Sequence, residues 1–229
     1  MVTLSTRSVR TFVLRQGRLT EGQQKSLDQY WPQYGLELPE TGTLDLQRCF
    51  LRSAPVWLEI GFGNGDALFA MAKARPEINF LGVEVHLPGV GHALGEIAAR
   101  ELQNVRIIRY DALELLENHL SENSVERLSL FFPDPWHKKR HRKRRMVNAE
   151  FLRLANAVVV NEGVMHIATD WESYAEHIQE EIAVCDFFTQ IQDESVYRSV
   201  VDARPRTKFE QRGLRLGHNV TELVYLNNP

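Results

Sequence analysis

Five carboxylates in this chain, Glu59, Glu84, Asp111, Asp134 and Asp170, each fall at or just after the end of a short apolar run. The runs are 56–60, 78–85, 105–110, 128–132 and 164–169. Bounded apolar runs of this length read as buried strands, and helical periodicity between them covers about 66–75, 91–102, 147–160 and 172–185. Two further alternating stretches, 187–198 and 220–227, read as strands and bring the expected number to seven. Alternating strands and helices predict an α/β fold: a Rossmann-like, mostly parallel seven-stranded sheet with helices on both faces. Such sheets bind ligands beyond the carboxyl ends of their strands. The five acids should therefore ring one edge of the sheet and face a polar ligand.

The first run ends in Gly61-Phe62-Gly63-Asn64-Gly65, a strand-to-helix turn where backbone can approach a ligand closely. The spacing is Gly-x-Gly-x-Gly, not the Gly-x-Gly-x-x-Gly of dinucleotide sites, which aim helix amides at a pyrophosphate. S-adenosylmethionine carries no phosphate, and its amino-acid end can lie across such a turn. Glu84, 23 residues after Gly61, is placed to accept hydrogen bonds from two ribose hydroxyls. NAD sites use the same logic, so Glu84 alone does not choose the cofactor. Asp111, or the backbone beside it at Ala112, could meet an adenine amino group. Glu59 could orient the turn or reach the ligand's ammonium.

The fourth run ends in Phe132-Pro133-Asp134-Pro135-Trp136-His137. Two prolines stiffen this loop and fix the direction of Asp134. Trp136 is either a core residue or a surface on which a base can stack. Lys138, Lys139, Arg140, His141, Arg142, Lys143, Arg144 and Arg145 follow at once. The segment 137–145 holds seven Lys/Arg and no acid, and without it the chain has 20 Lys/Arg against 30 Asp/Glu. The total charge of −3 thus hides a basic block on an acidic body. Phosphate contacts from this block would position RNA without reading its sequence. A solvated charge run and a nuclear-localisation signal share its composition. Its place beside the Pro-Asp-Pro-Trp loop favours RNA.

At 229 residues the chain is long for one minimal domain and short for two. The expected division is a basic arm and short helix at 1–35, then the α/β domain at 36–229. Arg7, Arg10, Arg15 and Arg18 make the arm basic, and Thr20 with Gln23 opens the helix as a capping box. Pro32 is expected to end that helix, and 32–54 to be loop. Charge density without apolar anchors predicts disorder in 1–18 and 137–146. Cys49 and Cys185 match no metal or redox spacing, so no metal is expected. The absence of an apolar leader and of any 18-residue apolar run predicts a cytoplasmic protein that does not enter a membrane. Oligomeric state stays open between monomer and homodimer.

Several segments together resemble the bacterial tRNA (guanine-N7)-methyltransferase family, within the class I S-adenosylmethionine-dependent methyltransferases. They are the Pro-Asp-Pro-Trp loop with its basic run, 10–20, Glu59 to Gly65, Gly82 to His86, and Arg204-Pro205-Arg206-Thr207-Lys208-Phe209-Glu210. The similarity runs through nearly the whole chain, and the basic proline loop and the Thr207-Lys208-Phe209-Glu210 stretch are far more specific than the glycine turn. The resemblance implies that Glu59, Glu84, Asp111 and Asp134 face the cofactor, with Ala112 beside them and Asp134 also the key active-site acid. It implies that Lys138, Asp170, Thr207, Lys208, Phe209 and Glu210 meet the substrate. It implies guanosine 46 of the tRNA variable loop as target. Guanine N7 has a free in-plane lone pair, so no strong general base is required. Asp134, Asp170 and Glu210 are candidates to accept from guanine N1–H and the 2-amino group. Three other readings remain: methylation of an exocyclic amine or protein side chain, a non-catalytic RNA-binding module, and an NAD-dependent oxidoreductase.

Overall fold

The computed structural model describes residues 10–12, 18–207, 210 and 219–229. Most of the basic arm, with Lys208 and Phe209, lies outside the described residues.

Seven strands form one sheet: β1 Val56–Ile60, β2 Asn79–Val83, β3 Val105–Ile108, β4 Val125–Phe131, β5 Val159–Thr169, β6 Phe188–Gln190 and β7 Thr221–Asn227. Their order is β3-β2-β1-β4-β5-β7-β6. Strands β1 to β5 pair in parallel, and β7 runs antiparallel to both β5 and β6. The chain winds outward through β2 and β3 on one side of β1, then returns to place β4 on the other. This reversal opens a crevice beyond the ends of β1 and β4. The glycine turn follows β1 and the Pro-Asp-Pro loop follows β4, so both expected site loops meet there.

Among the described residues the α-helices are α1 Glu21–Tyr34, α2 Leu46–Phe50, α3 Asp66–Ala74, α4 Leu87–Ala99, α5 Ala112–Asn118, α6 Ala149–Val158, α7 Glu172–Ala183 and α8 Glu194–Val201. Two large apolar clusters sandwich the sheet. One joins α5, α6 and α7 to it through Leu113, Phe151 and Ile178, and the other joins α3 and α4 through Phe69 and Leu94. Near-continuous burial along β2 is what a parallel strand covered on both faces requires.

Several sequence-derived boundaries are corrected. Pro32 does not end α1, which continues to Tyr34. Gly35 N–H donates to Trp31 O at 2.8 Å, and Leu36 N–H then donates to Ile107 O beside β3, so tertiary pairing holds the last turn. The segment 32–54 is not all loop: Asp45 caps α2 by accepting from Arg48 N–H. Asp111 caps the unforeseen α5 by accepting from the N–H groups of Leu113 and Glu114. Helix α4 begins at Leu87 rather than 91, because Pro88 sits in its first turn, where no backbone donor is needed. Strand β5 begins at Val159, five residues early, and carries Glu162 at φ 62° next to Gly163. The stretch 187–198 is not one strand. After β6, Asp193 accepts from Ser195 and Val196 N–H and starts α8, whose Val200 packs with Ile191 and Val224.

The segment 137–146 is ordered by its own arginines, against the expectation of disorder. It contains a 3-10 helix, Lys139–Arg144, and two anchors at its end. Arg144 donates to Arg10 O and Phe12 O at 3.0 Å each. Arg145 is 2% exposed, donates to Pro135 O and Ser173 O, and stacks 4.8 Å over Tyr174. Charge density alone hid these anchors, because the partners are carbonyls and ring faces rather than acids.

Candidate active site

Gly61, Gly63 and Gly65 all have positive φ, at 70°, 58° and 82°. Only glycine adopts such angles without strain. A Cβ on Gly65 would lie 2.1 Å from the Phe69 ring, whereas one on Gly61 or Gly63 would meet nothing within 4 Å among the described residues. The turn therefore packs closely on its helix side and leaves open space on the other. That space is a groove of about 280 Å³ lined by Glu59, Gly61 to Ala67, Phe131, Phe132 and Thr207. A neighbouring cavity of about 240 Å³ is lined by Thr11, Ile60, Gly61, Glu84, Tyr110, Ala112, Phe132, Asp134 and Met146, among others. The two share Gly61, Phe131 and Phe132.

The predicted acids occupy distinct settings. Glu84 ties the end of β2 to the glycine turn: Oε2 accepts from Gly63 N–H at 3.0 Å, and Oε1 accepts from Val85 and His86 N–H. Asp134 is exposed and faces both the cavity and a shallow cleft bounded by Phe12, Glu84, His86, Trp136 and His137. Asp111 is 2% exposed and engaged as a helix cap, while its neighbours Tyr110 and Ala112 line the cavity. Asp170 follows β5 and is half-buried. Glu59 is 4% exposed, and its Oε2 has no hydrogen-bond partner among the described residues. Burial pushes its pKa up to about 8, against the pull of Arg127 and Arg204 and with a further push from Glu84. A buried, unpartnered carboxyl oxygen at a glycine groove suits an incoming cation.

The loop carrying Asp134 is bracketed by two bulky residues at positive φ, Phe132 at 51° and Trp136 at 44°. Such angles cost roughly 1–3 kcal/mol each and persist only where surroundings over-determine them. The surroundings here do so. Phe132 N–H donates to Ala168 O at 2.8 Å, and Arg204 lies 5.5 Å over the Phe132 ring. Trp136 Nε1–H donates to Thr11 O, and Arg144 lies 4.4 Å over its ring. Arg145 holds Pro135 O between them. Trp136 is thus half-buried and already covered by a guanidinium, where the sequence left it open between core and stacking surface.

The basic run divides by environment. Lys138, Lys139, Arg140, Arg142 and Lys143 are exposed, and His141 is half-buried beside Trp136. Arg144 and Arg145 are spent on backbone carbonyls and rings, so these two are not presented outward. Thr207 lines the glycine groove, and its Oγ1 accepts from Glu210 N–H at 3.2 Å. Glu210 is buried and accepts two hydrogen bonds from Arg204, at 2.7 and 3.0 Å.

Sequence reasoning missed the ion network to which Glu210 belongs. Arg204 also bonds Glu222 through Nε at 3.0 Å and through its NH2 group, and Glu222 Oε2 accepts from His166 Nε2 at 2.6 Å. His166 Nδ1 faces Arg127, a group that only donates, so this nitrogen accepts and the ring is neutral. Burial is the main cause that lowers its pKa, to about 4, with Arg127 and Arg204 adding to it and Glu222 opposing. The signal in the sequence was Arg127, directly before the apolar run 128–132, and His166, which interrupts the run 164–169.

Among the described residues, no helix is long and apolar enough to cross a membrane. Residues 53–223 match a family described as "Putative methyltransferase". The chain is 49% identical over 219 residues to the tRNA (guanine-N(7)-)-methyltransferase of Salmonella typhimurium, covering 96% of this chain and 91% of that one. It is 48% identical over 219 residues to the enzyme of the same name from Yersinia enterocolitica, with the same coverage. Among solved structures, the 16S rRNA methyltransferase KamB superposes with a TM-score of 0.58 at 16% identity, covering 86% of this chain and 98% of KamB. The aminoglycoside resistance methyltransferase NpmB1 gives 0.53 at 18% identity, covering 85% of this chain and 97% of its own. At these identities the two structures speak to the fold alone, the Rossmann-like fold of class I methyltransferases. Matching along almost its whole length, the chain belongs to the tRNA (guanine-N(7)-)-methyltransferase family.

Proposed function

We propose that this protein transfers a methyl group to N7 of guanosine 46 in the variable loop of tRNA, in the cytoplasm, with residues 36–229 as the methyltransferase domain. Identity of 49% across 96% of the chain to enzymes named for that chemistry carries the reading. S-adenosylmethionine, the methyl donor, supplies an electrophilic sulfonium methyl that needs no metal. The groove fits such a donor: Gly61 and Gly63 leave open space, and Glu59 offers a buried unpartnered oxygen to its ammonium. Glu84 is placed for the ribose hydroxyls and Ala112 for the adenine end. Asp134, facing both cavity and cleft, stands where donor and guanine meet.

Guanine N7 reacts without prior deprotonation, so the chain's work is alignment and electrostatic matching, which can supply several kcal/mol. A carboxylate accepting from guanine N1–H and the 2-amino group leaves N7 pointing away from it. Pyrimidines would leave that acid unpaired, which gives selectivity. Asp134 and Asp170 fit this role. Glu210, gripped by Arg204, fits better as the group that fixes the Thr207 loop.

Transfer of labelled methyl from S-adenosylmethionine to unmodified tRNA tests the proposal. Borohydride and aniline should then cut the product at a single variable-loop guanosine. Label without scission would move the target to another atom.

The exposed half of the basic run should act through phosphate. Replacing Lys138, Lys139, Arg140, Arg142 and Lys143 together by Gln should weaken tRNA binding. It should also lower the slope of log affinity against log salt by at least about 2, since each phosphate left without its cation removes about 0.7–0.9 from that slope. An unchanged slope, measured by filter binding, would refute this role.

A further inference from the structure

Among the described residues, four large apolar side chains are exposed: Leu51, Trp171, Val184 and Val196. Trp171 alone directly follows a strand end that carries a site carboxylate, Asp170 at the end of β5. The residue is 38% exposed, which leaves part of a large apolar side chain to water. The ring is nevertheless held. Nε1–H donates to Ser173 Oγ at 3.0 Å, Trp171 N–H donates to Thr169 Oγ1, and Trp171 O accepts from Tyr174 and Ala175 N–H as α7 begins. Exposure with a fixed orientation is what a stacking surface needs, since little rotamer freedom is then lost on binding.

Its placement points the same way. The Trp171 ring lies 6.1 Å from that of His137, at 46°, and His137 lines the cleft that opens from Asp134. Arg145 fixes this pairing by donating to Pro135 O on one loop and to Ser173 O on the other. Arg144 already lies over the half-buried Trp136 ring, so the more exposed indole of this region is Trp171. Lys138 and Lys139, exposed next to His137, would hold the adjoining phosphates.

We propose that Trp171 is the platform on which the target guanine stacks while carboxylates beside it bond the base edge. The assignment rests on the tRNA guanine methylation proposed above. Stacking on an aromatic face is tolerant of base identity. Trp171 would therefore supply affinity for an extruded base, and the acids would supply the choice of guanine.

Three variants, assayed as full-length protein with unmodified tRNA, test it. W171F keeps an aromatic face and should stay within about threefold of wild type in kcat/KM for tRNA. W171A and W171L should lose about 10- to 100-fold, with S-adenosylmethionine affinity and thermal midpoint retained. W171L is decisive, because leucine keeps apolar bulk without a π face: wild-type activity in W171L overturns the proposal. A tRNA abasic at the target position locates the effect. Wild type and W171L should bind it equally, and a persistent gap would assign Trp171 to another base and overturn the proposal. Failure of wild type to methylate tRNA would overturn the proposed function, and this platform with it, before any variant is made.

Discussion

Asp134→Ala should reduce methyl transfer to tRNA by about 10³-fold while leaving the protein folded. The folding half of this expectation follows from what holds the loop. Phe132 N–H on Ala168 O, Arg145 on Pro135 O and Trp136 on Thr11 O set its path, and none uses the Asp134 carboxylate. The thermal midpoint should therefore move by no more than about 2 °C, the range for a surface substitution away from packing. The catalytic half follows from position. Asp134 faces both the cavity beside Glu84 and the cleft toward His137, so under the function proposed above its carboxylate lies between donor and acceptor. A single oriented polar group is worth about 10²–10³ in rate once bound ligands exclude water from it. Loss of base alignment adds to that, because a small misplacement of N7 alone costs about 10². Asp134→Asn keeps shape and one acceptor oxygen, so it should fall between wild type and alanine. Cofactor affinity should fall less than turnover in both variants. Near-normal turnover in Asp134→Ala, at saturating cofactor and tRNA, would remove Asp134 from the chemistry.

The sheet was legible because parallel strands covered on both faces must be apolar throughout, and Val56–Ile60 and Asn79–Val83 are nearly so. The acids were legible because each ends such a run. What escaped was short or long-range. Helices α2 and α5 have 5 and 7 residues, too few for periodicity to register, and only the capping acids Asp45 and Asp111 marked them. Alternation at 187–198 imitated a strand because Phe187, Ile191 and Tyr197 lie even numbers of residues apart, as a period of two requires. Residue type said that Arg140 and Arg145 were alike. One is exposed, and the other is buried on carbonyls 10 and 28 residues away. No local pattern distinguishes them, because the difference is made by which loop folds over which.

The same limit hid the residue whose loss should cost most stability. Arg204→Met should lower the thermal midpoint by about 6–20 °C. The Arg204 side chain is 3% exposed, bonds Glu210 twice and Glu222 as well, and lies 5.4 Å over Phe131. Burial opposes its charge, but the two glutamates outweigh burial and hold its pKa above the ordinary value. Removing the cation leaves Glu210 and Glu222 close together with the neutral His166 still donating to Glu222 but no charge between them, and breaking a buried pair in this way costs about 3–5 kcal/mol. For a domain of this size each kcal/mol is worth about 2–4 °C. Arg204→Lys keeps the charge but not the fork that serves two carboxylates, so it should recover only part of the loss. The network also reaches the site. Glu210 N–H donates to Thr207 Oγ1, and Thr207 lines the glycine groove. With Glu210 unpaired, that edge of the groove loses its anchor. S-adenosylmethionine affinity should then drop about tenfold, measured at a temperature where the variant is fully folded. A midpoint within about 2 °C of wild type would mean that the buried charges are not what holds this loop. A lowered midpoint with unchanged cofactor affinity would confine Arg204 to folding and free Thr207 from any part in the groove.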